Sequence, residues 1–342
     1  MSTAAARALP SPRGQRSALR RGGRPVSRAT AAGLALGTVA DLLLADPRRG
    51  HPVAGFGQAA AALERWMWRD SRAAGVGYAG LCVGTAVALG TAASRLTADR
   101  PAARTALTAL ATWAVLGGTS LGRAAATMEV HLAAGDLPAA RTHLSTLAGR
   151  DPSGLGEPEL VRATVESVAE NTSDAAVAPL FWGAVAGLPG LLGYRAANTL
   201  DAMVGYRSPR YVRFGWAAAR FDDVVNWVPA RLTAALTVLT APLAGGSPSG
   251  ALRVWRRDGA AHPSPNAGRC EASLAGALGL RLGGRNVYGA RAEERPVLGD
   301  GRPPAREDVA RAVRLSRAVW TAAAALAVAS RLHRRRPMTL RS

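Results

Sequence analysis

The chain has 342 residues and a formal net charge of +20; 48% of its residues are hydrophobic, but only 5% are aromatic. All 43 basic residues are arginine, because the sequence contains no lysine. A Walker A phosphate loop and a Schiff base to pyridoxal phosphate both require lysine, so these two kinds of chemistry are excluded. The abundant Ala, Gly, Leu and Val of the chain are typical of closely packed membrane helices.

The two ends of the chain are basic. Residues 1–28 contain seven arginines, no acidic residue and no apolar period, which predicts a disordered Arg-rich tail. We expect a single helical membrane domain over residues 29–335 and a basic tail over 336–342. Basic ends around apolar segments indicate anchoring at a membrane surface. We therefore expect a multi-pass protein of the cell (cytoplasmic) membrane that contacts lipid and no nucleic acid.

Apolar stretches dominate the rest of the chain, and several approach the roughly 20 residues that a spanning helix needs. They cover residues 29–45, 73–94, 102–121, 175–193, 228–246 and 313–330. No alternating strand pattern of any length occurs between them. The sequence predicts an all-α, polytopic helical membrane protein with about 4–6 membrane-embedded segments and helical polar segments between them. A soluble protein with Ala-rich buried helices is the alternative.

The stretch at 175–193 decides the topology. If every apolar stretch spans, the polar segments 122–174 and 194–227 lie on opposite sides of the membrane. Two prolines and four glycines in 175–193 suggest that it enters the membrane and returns, which irregular backbone permits where protein covers it. Accessibility of cysteines introduced at Arg150 and Arg210 tests this hypothesis.

The two cysteines, Cys82 and Cys270, form no CxxC pair and lie in Ala/Gly-rich sequence. We interpret both as small buried residues, not as zinc ligands or a disulfide.

Carboxylates recur every four residues at Glu166, Glu170 and Asp174. On a helix this spacing places all three on one face, where like charges cost roughly 0.2–0.5 kcal/mol per pair. A bound cation would compensate that cost. We therefore predict these three residues as metal ligands.

Two further runs combine carboxylates with amides at helical spacing: Asn198 with Asp201, and Asp222 and Asp223 with Asn226. Hard oxygen ligands suit Mg²⁺, which keeps several waters and bridges protein carboxylates to substrate phosphates. We predict a catalytic role for all five. The alternative is capping of helix ends, because Asn and Asp are good N-caps.

Arginines are natural clamps for phosphate, since the guanidinium binds it through two parallel hydrogen bonds. Arg150 is expected to bind phosphate, with Asp151 and Asn171 near the substrate. Arg231 lies within an apolar stretch, where an arginine is usually functional or paired, and we predict a catalytic role for it. A structural ion pair with a nearby carboxylate is the alternative.

The ordered motifs resemble the adenosylcobinamide-phosphate synthase family, integral membrane proteins of cobalamin biosynthesis. The likeness covers roughly residues 33–330. An Arg-rich tail before residue 29 has no counterpart in that pattern, and Phe221 stands where a more aliphatic residue is expected. The motifs that carry the resemblance are Asp41–Pro47, His51–Val53, Gly149–Asp151, Glu166–Asp174, Ala178–Trp182, Tyr194–Asp201, Met203–Tyr206, Ala219–Asp223 with Asn226, Pro229–Arg231, Ser264–Gly268, Leu282–Gly284 and Tyr288–Gly289.

Within these motifs we expect His51, Ser264 and Asn266 to bind substrate. His51 can also act as a general acid or base, or as a ligand to a metal-containing substrate. A histidine before proline is otherwise a loop residue with local hydrogen bonds.

The resemblance implies ATP-dependent formation of an amide between aminopropanol (or its O-phosphate) and the free propionate of adenosylcobyric acid, giving adenosylcobinamide (phosphate). A carboxylate needs activation before it condenses with an amine, and Mg²⁺ with arginines would neutralise the phosphates involved. The expected cofactors are Mg²⁺ and ATP as a substrate. The expected partners are the corrinoid, aminopropanol phosphate and other cobalamin-pathway enzymes. A polytopic Mg²⁺-dependent prenyl- or phosphotransferase, and a non-catalytic corrinoid transporter or scaffold, remain alternatives.

Overall fold

The computed structural model describes residues 12–47, 50–149, 151–288 and 291–333, and of residues 12–25, 285–288 and 291–293 it describes the backbone alone. Helices make up most of these residues. They are α1 (Pro12–Leu44), α2 (Pro52–Met67), α3 (Arg72–Leu96), α4 (Pro101–Val115), α5 (Gly118–Ala133), α6 (Leu137–Leu144), α7 (Glu157–Thr172), α8 (Ala178–Ala186), α9 (Leu188–Val204), α10 (Trp216–Val225), α11 (Trp227–Thr240), α12 (Pro248–Asp258), α13 (Ala267–Leu278) and α14 (Glu307–His333). A π-helical turn (Ser173–Val177) joins α7 to α8, and a 3₁₀ turn (Ala241–Ala244) follows α11.

Among the described residues, four segments are long and apolar enough to cross a membrane: Val26–Leu44, Arg72–Leu96, Trp227–Ala244 and Glu307–His333. They coincide with four of the apolar stretches in the sequence. The stretch at 102–121 contains α4, which has 15 residues and is shorter than a span. The prediction of an all-α polytopic membrane protein is confirmed.

Small residues let the first membrane helix approach its neighbour closely. Gly33 and Gly37, one turn apart on α1, face Thr108 and Thr112 of α4, and a Cβ at either glycine would overlap the threonine side chain. This is the small-residue packing that lets helix backbones approach in lipid.

The apolar stretch at 175–193 is not one continuous helix. The chain reverses between α8 and α9 at Gly187, whose φ of +70° is a conformation that favours glycine. Just beyond the turn, Gly190 packs so tightly against the Trp182 carbonyl that no side chain fits. The reversal agrees with a segment that enters the membrane and returns. The side of the membrane on which each polar segment lies stays a prediction.

The Arg-rich tail expected over residues 1–28 is helical from Pro12 onward, as the first part of α1. Arginine, alanine, leucine and glutamine have high helix propensity, and the segment runs directly into a membrane helix that it can extend. Residues 1–11 and the predicted basic tail at 336–342 lie outside the described residues.

One β-hairpin interrupts the helical architecture. Strand β1 (Leu282–Tyr288) pairs antiparallel with β2 (Arg291–Leu298), and the register shifts between Leu282 and Gly284. The sequence predicts no strand here, because two glycines replace any apolar alternation. Both glycines, Gly283 and Gly284, have positive φ (83° and 85°), and contacts from α7 hold the hairpin.

Two apolar clusters frame the polar centre. The larger one is formed chiefly by α5, α7, α13 and α14, with Trp320 and Leu160 fully buried. The smaller one joins α2, α3, α9 and α10 around Tyr78 and Phe214, whose ring centroids lie 5.1 Å apart. Between them, α7, α9, α10 and α11 bring their polar residues together.

Both cysteines are buried and free, as the sequence predicts. Cys82 lies on α3 and Cys270 on α13.

Candidate active site

Five carboxylates, which we call the carboxylate cluster, gather where α7, α9 and α10 meet. They are Glu170, Asp174, Asp201, Asp222 and Asp223. Asp174 interacts electrostatically with Asp222, Glu170 and Asp201, and Asp201 interacts with Asp223. Residues from all three predicted acidic runs therefore share one site.

Asp174 enters this cluster from the π-helical turn that follows α7. Such a turn inserts an extra residue into the helical repeat and is frequently found at functional sites. It ends the regular four-residue progression that begins at Glu166, so Asp174 is directed toward α9 and α10.

Amide and phenol groups hold the carboxylates in place. Asn226 Nδ2 donates to Asp222 Oδ2 at 2.9 Å, and the Tyr194 hydroxyl lies 2.9 Å from Asn226 Oδ1 and 3.1 Å from the Asp174 carbonyl. Asn198 Nδ2 lies 3.5 Å from Asp174 Oδ2. Asn226 joins α10 to α11 without a side-chain capping bond, so the capping alternative is wrong for this residue.

Burial makes ionisation of the cluster costly. Burial first, and then repulsion from Asp201, raises the pKa of Asp222 to about 7. Burial, with repulsion from Asp223 and Glu170, raises the pKa of Asp201 to about 6. The pKa of Asp174 is raised well above its usual value for the same reasons. These shifts identify a site with uncompensated negative charge.

The cluster fits Mg²⁺ by its donor chemistry. Asp222 is 9% exposed, and its Oδ1 is buried without a hydrogen-bond partner. Within the described parts of the chain, no three Asp, Glu, His or Cys side chains already form a ligand set. Mg²⁺ needs only one or two protein carboxylates when waters and substrate phosphates complete its shell. We conclude that the cluster suits a metal shared with substrate.

Glu166 contacts the β-hairpin and Arg162. Its Oε1 accepts a hydrogen bond from the Gly283 N–H at 2.9 Å and lies 3.8 Å from Arg162 Nε. Arg162 in turn donates to the Gly283 carbonyl at 2.6 Å. The buried carboxylate thus holds the β-hairpin against α7.

Two predicted substrate-binding residues, Asn171 and Asp151, make local hydrogen bonds and no described contact with the cluster. Asn171 donates to Ser167 on its own helix, at 3.0 Å to the carbonyl and 3.1 Å to Oγ. Asp151 accepts from the Ser153 N–H at 2.9 Å, and this local turn lowers its pKa. Arg150 lies outside the described residues.

Arg231 forms no ion pair with Asp222 or Asp223 among the described side chains. Its guanidinium stacks on Trp227 at 4.0 Å from the ring centroid and donates to the Trp227 carbonyl at 2.8 Å. Asp223 instead pairs with Arg220 at 3.5 Å. The alternative of a structural ion pair is therefore not observed for Arg231.

His51 caps the N-terminus of α2, where its Nδ1 accepts a hydrogen bond from the Val53 N–H at 3.1 Å. Its Nε2 lies 3.5 Å from Asp46 Oδ1. Arg195, on α9, interacts electrostatically with both Asp46 and Asp174. The charge of Arg195 therefore acts on both Asp46 and Asp174, without an ion pair to either among the described side chains.

Ser264 and Asn266 form the entry to α13. Ser264 Oγ accepts from the backbone N–H groups of Asn266 (3.3 Å) and Ala267 (3.1 Å). Asn266 Nδ2 donates to the Asp223 carbonyl at 2.8 Å. The structure thus brings Asn266 to the cluster, while Ser264 shapes the turn.

Sequence reasoning gave no role to Tyr194 and Arg195. A signal was present, because an arginine in an apolar helix and a tyrosine beside it stand only three and four residues before Asn198. In the structure Tyr194 contacts Asn226 and the Asp174 carbonyl, and Arg195 interacts electrostatically with Asp46 and Asp174.

Comparison with known proteins identifies the family. The chain matches the family model described as "CobD/Cbib protein" over residues 34–316. It is 56% identical over 307 residues to "Cobalamin biosynthesis protein CobD" of Mycobacterium tuberculosis, covering 90% of this chain and 97% of that protein. The like-named protein of Geobacter metallireducens is 47% identical over 269 residues, or 77% and 85% of the two chains. That of Rhodobacter capsulatus is 44% identical over 275 residues, or 79% and 86%. No solved structure matches. The length of the family match and the identity to these relatives show that the chain belongs to the CobD/CbiB family.

Proposed function

We propose that this chain is an ATP-dependent acid–amine ligase of cobalamin biosynthesis in the cell membrane. It joins aminopropanol, or its O-phosphate, to the free propionate of adenosylcobyric acid to give adenosylcobinamide (phosphate). The buried carboxylate cluster is the observation that supports this function most directly, and the names of the relatives support the pathway.

The chemistry requires three things from the protein. ATP must phosphorylate the propionate, so that the acyl phosphate formed can be attacked by the amine with release of phosphate. Mg²⁺, when bound, supplies charge neutralisation for the phosphates. The chain's own residues orient the groups: Asn226 and Tyr194 fix Asp222, and Asn198 adjoins Asp174.

We place Glu170, Asp174, Asp201 and Asp222 around the metal in this proposal, and Glu166 outside it. The first four interact with one another, whereas the carboxylate of Glu166 holds the hairpin. Arg231, which has no carboxylate partner among the described side chains, would supply the positive charge that neutralises the phosphates.

Membranes containing the protein should convert adenosylcobyric acid, aminopropanol phosphate and ATP into an amidated corrinoid, detected by mass spectrometry. An Asp222→Asn membrane preparation is the matched control and should form none. A prenyl- or phosphotransferase, or a transporter or scaffold, would leave the propionate unamidated. Wild-type product formation by the Asp222→Asn protein would refute the assigned site.

A further inference from the structure

A cavity of about 340 Å³ lies between α2, α3, α4 and α9. Its walls are apolar apart from Thr85 on α3 and Arg195 on α9. Leu81 and Leu89, which belong to the wall on α3, are 51% and 62% exposed, so the cavity is open to its surroundings along this helix. Apolar walls with a small number of polar groups are typical of a site that binds a small molecule.

Arg195 is the charged group of this cavity, and part of its guanidinium is available to a ligand. Its Nη1 donates a long hydrogen bond of 3.5 Å to Asn198 Oδ1, and its Nε is buried without a hydrogen-bond partner. Among the described side chains, no carboxylate forms an ion pair with it. A charged group in apolar surroundings is costly unless it is paired, and an anion bound in the cavity would supply the partner.

The same arginine is connected to the carboxylate cluster by direct contacts. Asn198, which accepts from Arg195, places its own Nδ2 3.5 Å from Asp174 Oδ2. At the start of α2, the two residues that follow His51 line the cavity. The side chain of Asn198 thus bridges the cavity and the cluster, next to a motif that is expected to bind substrate.

We infer that this cavity binds the acid substrate and that Arg195 holds its carboxylate beside the cluster. The ligand is a carboxylate carried on an apolar body, because a guanidinium group binds a carboxylate through two parallel hydrogen bonds and the other walls offer almost no polar partner. In the proposed function, on which this inference rests, that ligand is the propionate-bearing edge of adenosylcobyric acid.

The walls of the cavity argue against the other two substrates. ATP and aminopropanol phosphate carry polar groups over most of their surface, and burying such groups without partners is costly. An anionic membrane lipid combines an apolar chain with a charge, as the acid substrate does. The contact through Asn198 favours the acid, because it places the arginine next to the cluster, where the proposed reaction needs a carboxylate.

Equilibrium dialysis with the purified full-length protein in detergent tests the site, with neither ATP nor amine present. The two probes are adenosylcobyric acid and the same corrinoid with its propionate converted to a primary amide. The wild type should bind the acid more tightly than the amide. Arg195→Met keeps the aliphatic stem and removes the charge, so it should weaken binding of the acid about tenfold or more and leave the Kd of the amide nearly unchanged. Retained binding of the amide shows that the variant is folded, and a purely structural role of Arg195 would not remove the preference for the acid.

A second variant tests the cavity itself and leaves the arginine in place. Ala59→Trp adds a large ring at an exposed position of the wall on α2 and should weaken binding of both probes. Ala62→Trp and Arg65→Met are the matched controls. They lie at exposed positions of the same helix outside the cavity wall and should leave each Kd unchanged.

A wild type with equal Kd values for the acid and the amide would overturn the inference, as would an unchanged Kd for the acid in Arg195→Met. If both cavity variants kept the Kd of the acid and lost a phospholipid that copurifies with the wild type, the cavity would be a lipid site and the inference would be wrong. A wild type that binds the acid through Arg195 but forms no amide would refute only the proposed reaction.

Discussion

The Asn226 amide donates to one oxygen of Asp222, Oδ2, and leaves the other, Oδ1, buried without a partner. One oxygen is thus fixed by the protein while the second stays open to a ligand. A buried oxygen without a partner costs free energy, which a ligand can recover. Replacing the Asp222 carboxylate should therefore change stability and function in opposite directions.

We expect Asp222→Asn to stabilise the metal-free protein at pH 8 while abolishing amide formation. The substitution removes a buried charge that is repelled by Asp201, and we expect a gain of about 1–2 kcal/mol in the free energy of unfolding. Thermal unfolding in detergent with a chelator measures the first effect, and corrinoid amidation measures the second. Asp99→Asn, at an exposed position, is the control and should alter neither. A lower unfolding midpoint for Asp222→Asn would contradict the assignment.

The metal-free protein should lose stability as the pH rises from 5 to 8. The folded pKa values of Asp201 (about 6) and Asp222 (about 7) exceed the usual value of roughly 3.9 for an unfolded aspartate. The folded state therefore binds more protons in this window, so the stability present at low pH is lost as these groups ionise. Unfolding midpoints measured with a chelator should fall across the window, and less steeply in Asp222→Asn. Midpoints that rise with pH would exclude these shifts.

Added Mg²⁺ should restore stability at pH 8 more than at pH 5.5. Ligand carboxylates must be deprotonated before they bind a metal, so protons compete with Mg²⁺ at the lower pH. Unfolding midpoints with and without Mg²⁺, at both pH values, measure the difference. Equal shifts at the two values would place the metal elsewhere.

Tyr194→Phe should weaken catalysis through loss of orientation. The change removes the hydroxyl near Asn226 Oδ1 and leaves that oxygen buried without a partner, at a cost of about 1–3 kcal/mol. Tyr78→Phe is the matched control, because its hydroxyl is also buried and donates to the Ala60 carbonyl at 3.2 Å, away from the cluster. Both variants should lose stability, and only Tyr194→Phe should lower the apparent affinity for Mg²⁺. Equal Mg²⁺ affinity in the two variants would remove Tyr194 from the site.

The sequence was sufficient to predict the helical membrane architecture and most of the cluster. Apolar stretches report membrane helices directly, and Asp201, Asp222 and Asn226 stand out because polar residues are expensive in such surroundings. Motif spacing therefore indicated which acidic residues are important, whereas their proximity across α9 and α10 depends on how these helices pack.

Other features depend on contacts between distant parts of the chain. Arg195 interacts electrostatically with Asp46, far earlier in sequence, and Cys270 lies 3.8 Å from the Ala230 carbonyl oxygen because α13 packs on α11. The hairpin was not predicted for the same reason: Gly283 is held by Glu166, which lies 117 residues away. No local period encodes such pairings, so the function of Glu166 could not be separated from that of Glu170 by spacing alone.

That separation gives the last prediction, which compares Glu166→Gln with Glu170→Gln. Gln at position 166 can still accept from the Gly283 N–H through its amide oxygen, but it loses the charge that faces Arg162. We expect a loss of about 1–3 kcal/mol in stability, since a buried charged partner is removed, and unchanged Mg²⁺ affinity.

Glu170→Gln should do the opposite. Glu170 repels Asp174 and Asp201, so removing its charge relieves the cluster and should maintain or raise metal-free stability while weakening Mg²⁺ binding. Calorimetric titration of Mg²⁺ and unfolding midpoints, measured on both proteins, separate the two functions. Because the substitutions are chemically identical and lie one helical turn apart, any difference between them reports position alone. If Glu166→Gln instead weakened Mg²⁺ binding as much as Glu170→Gln, then Glu166, Glu170 and Asp174 would all belong to the metal site.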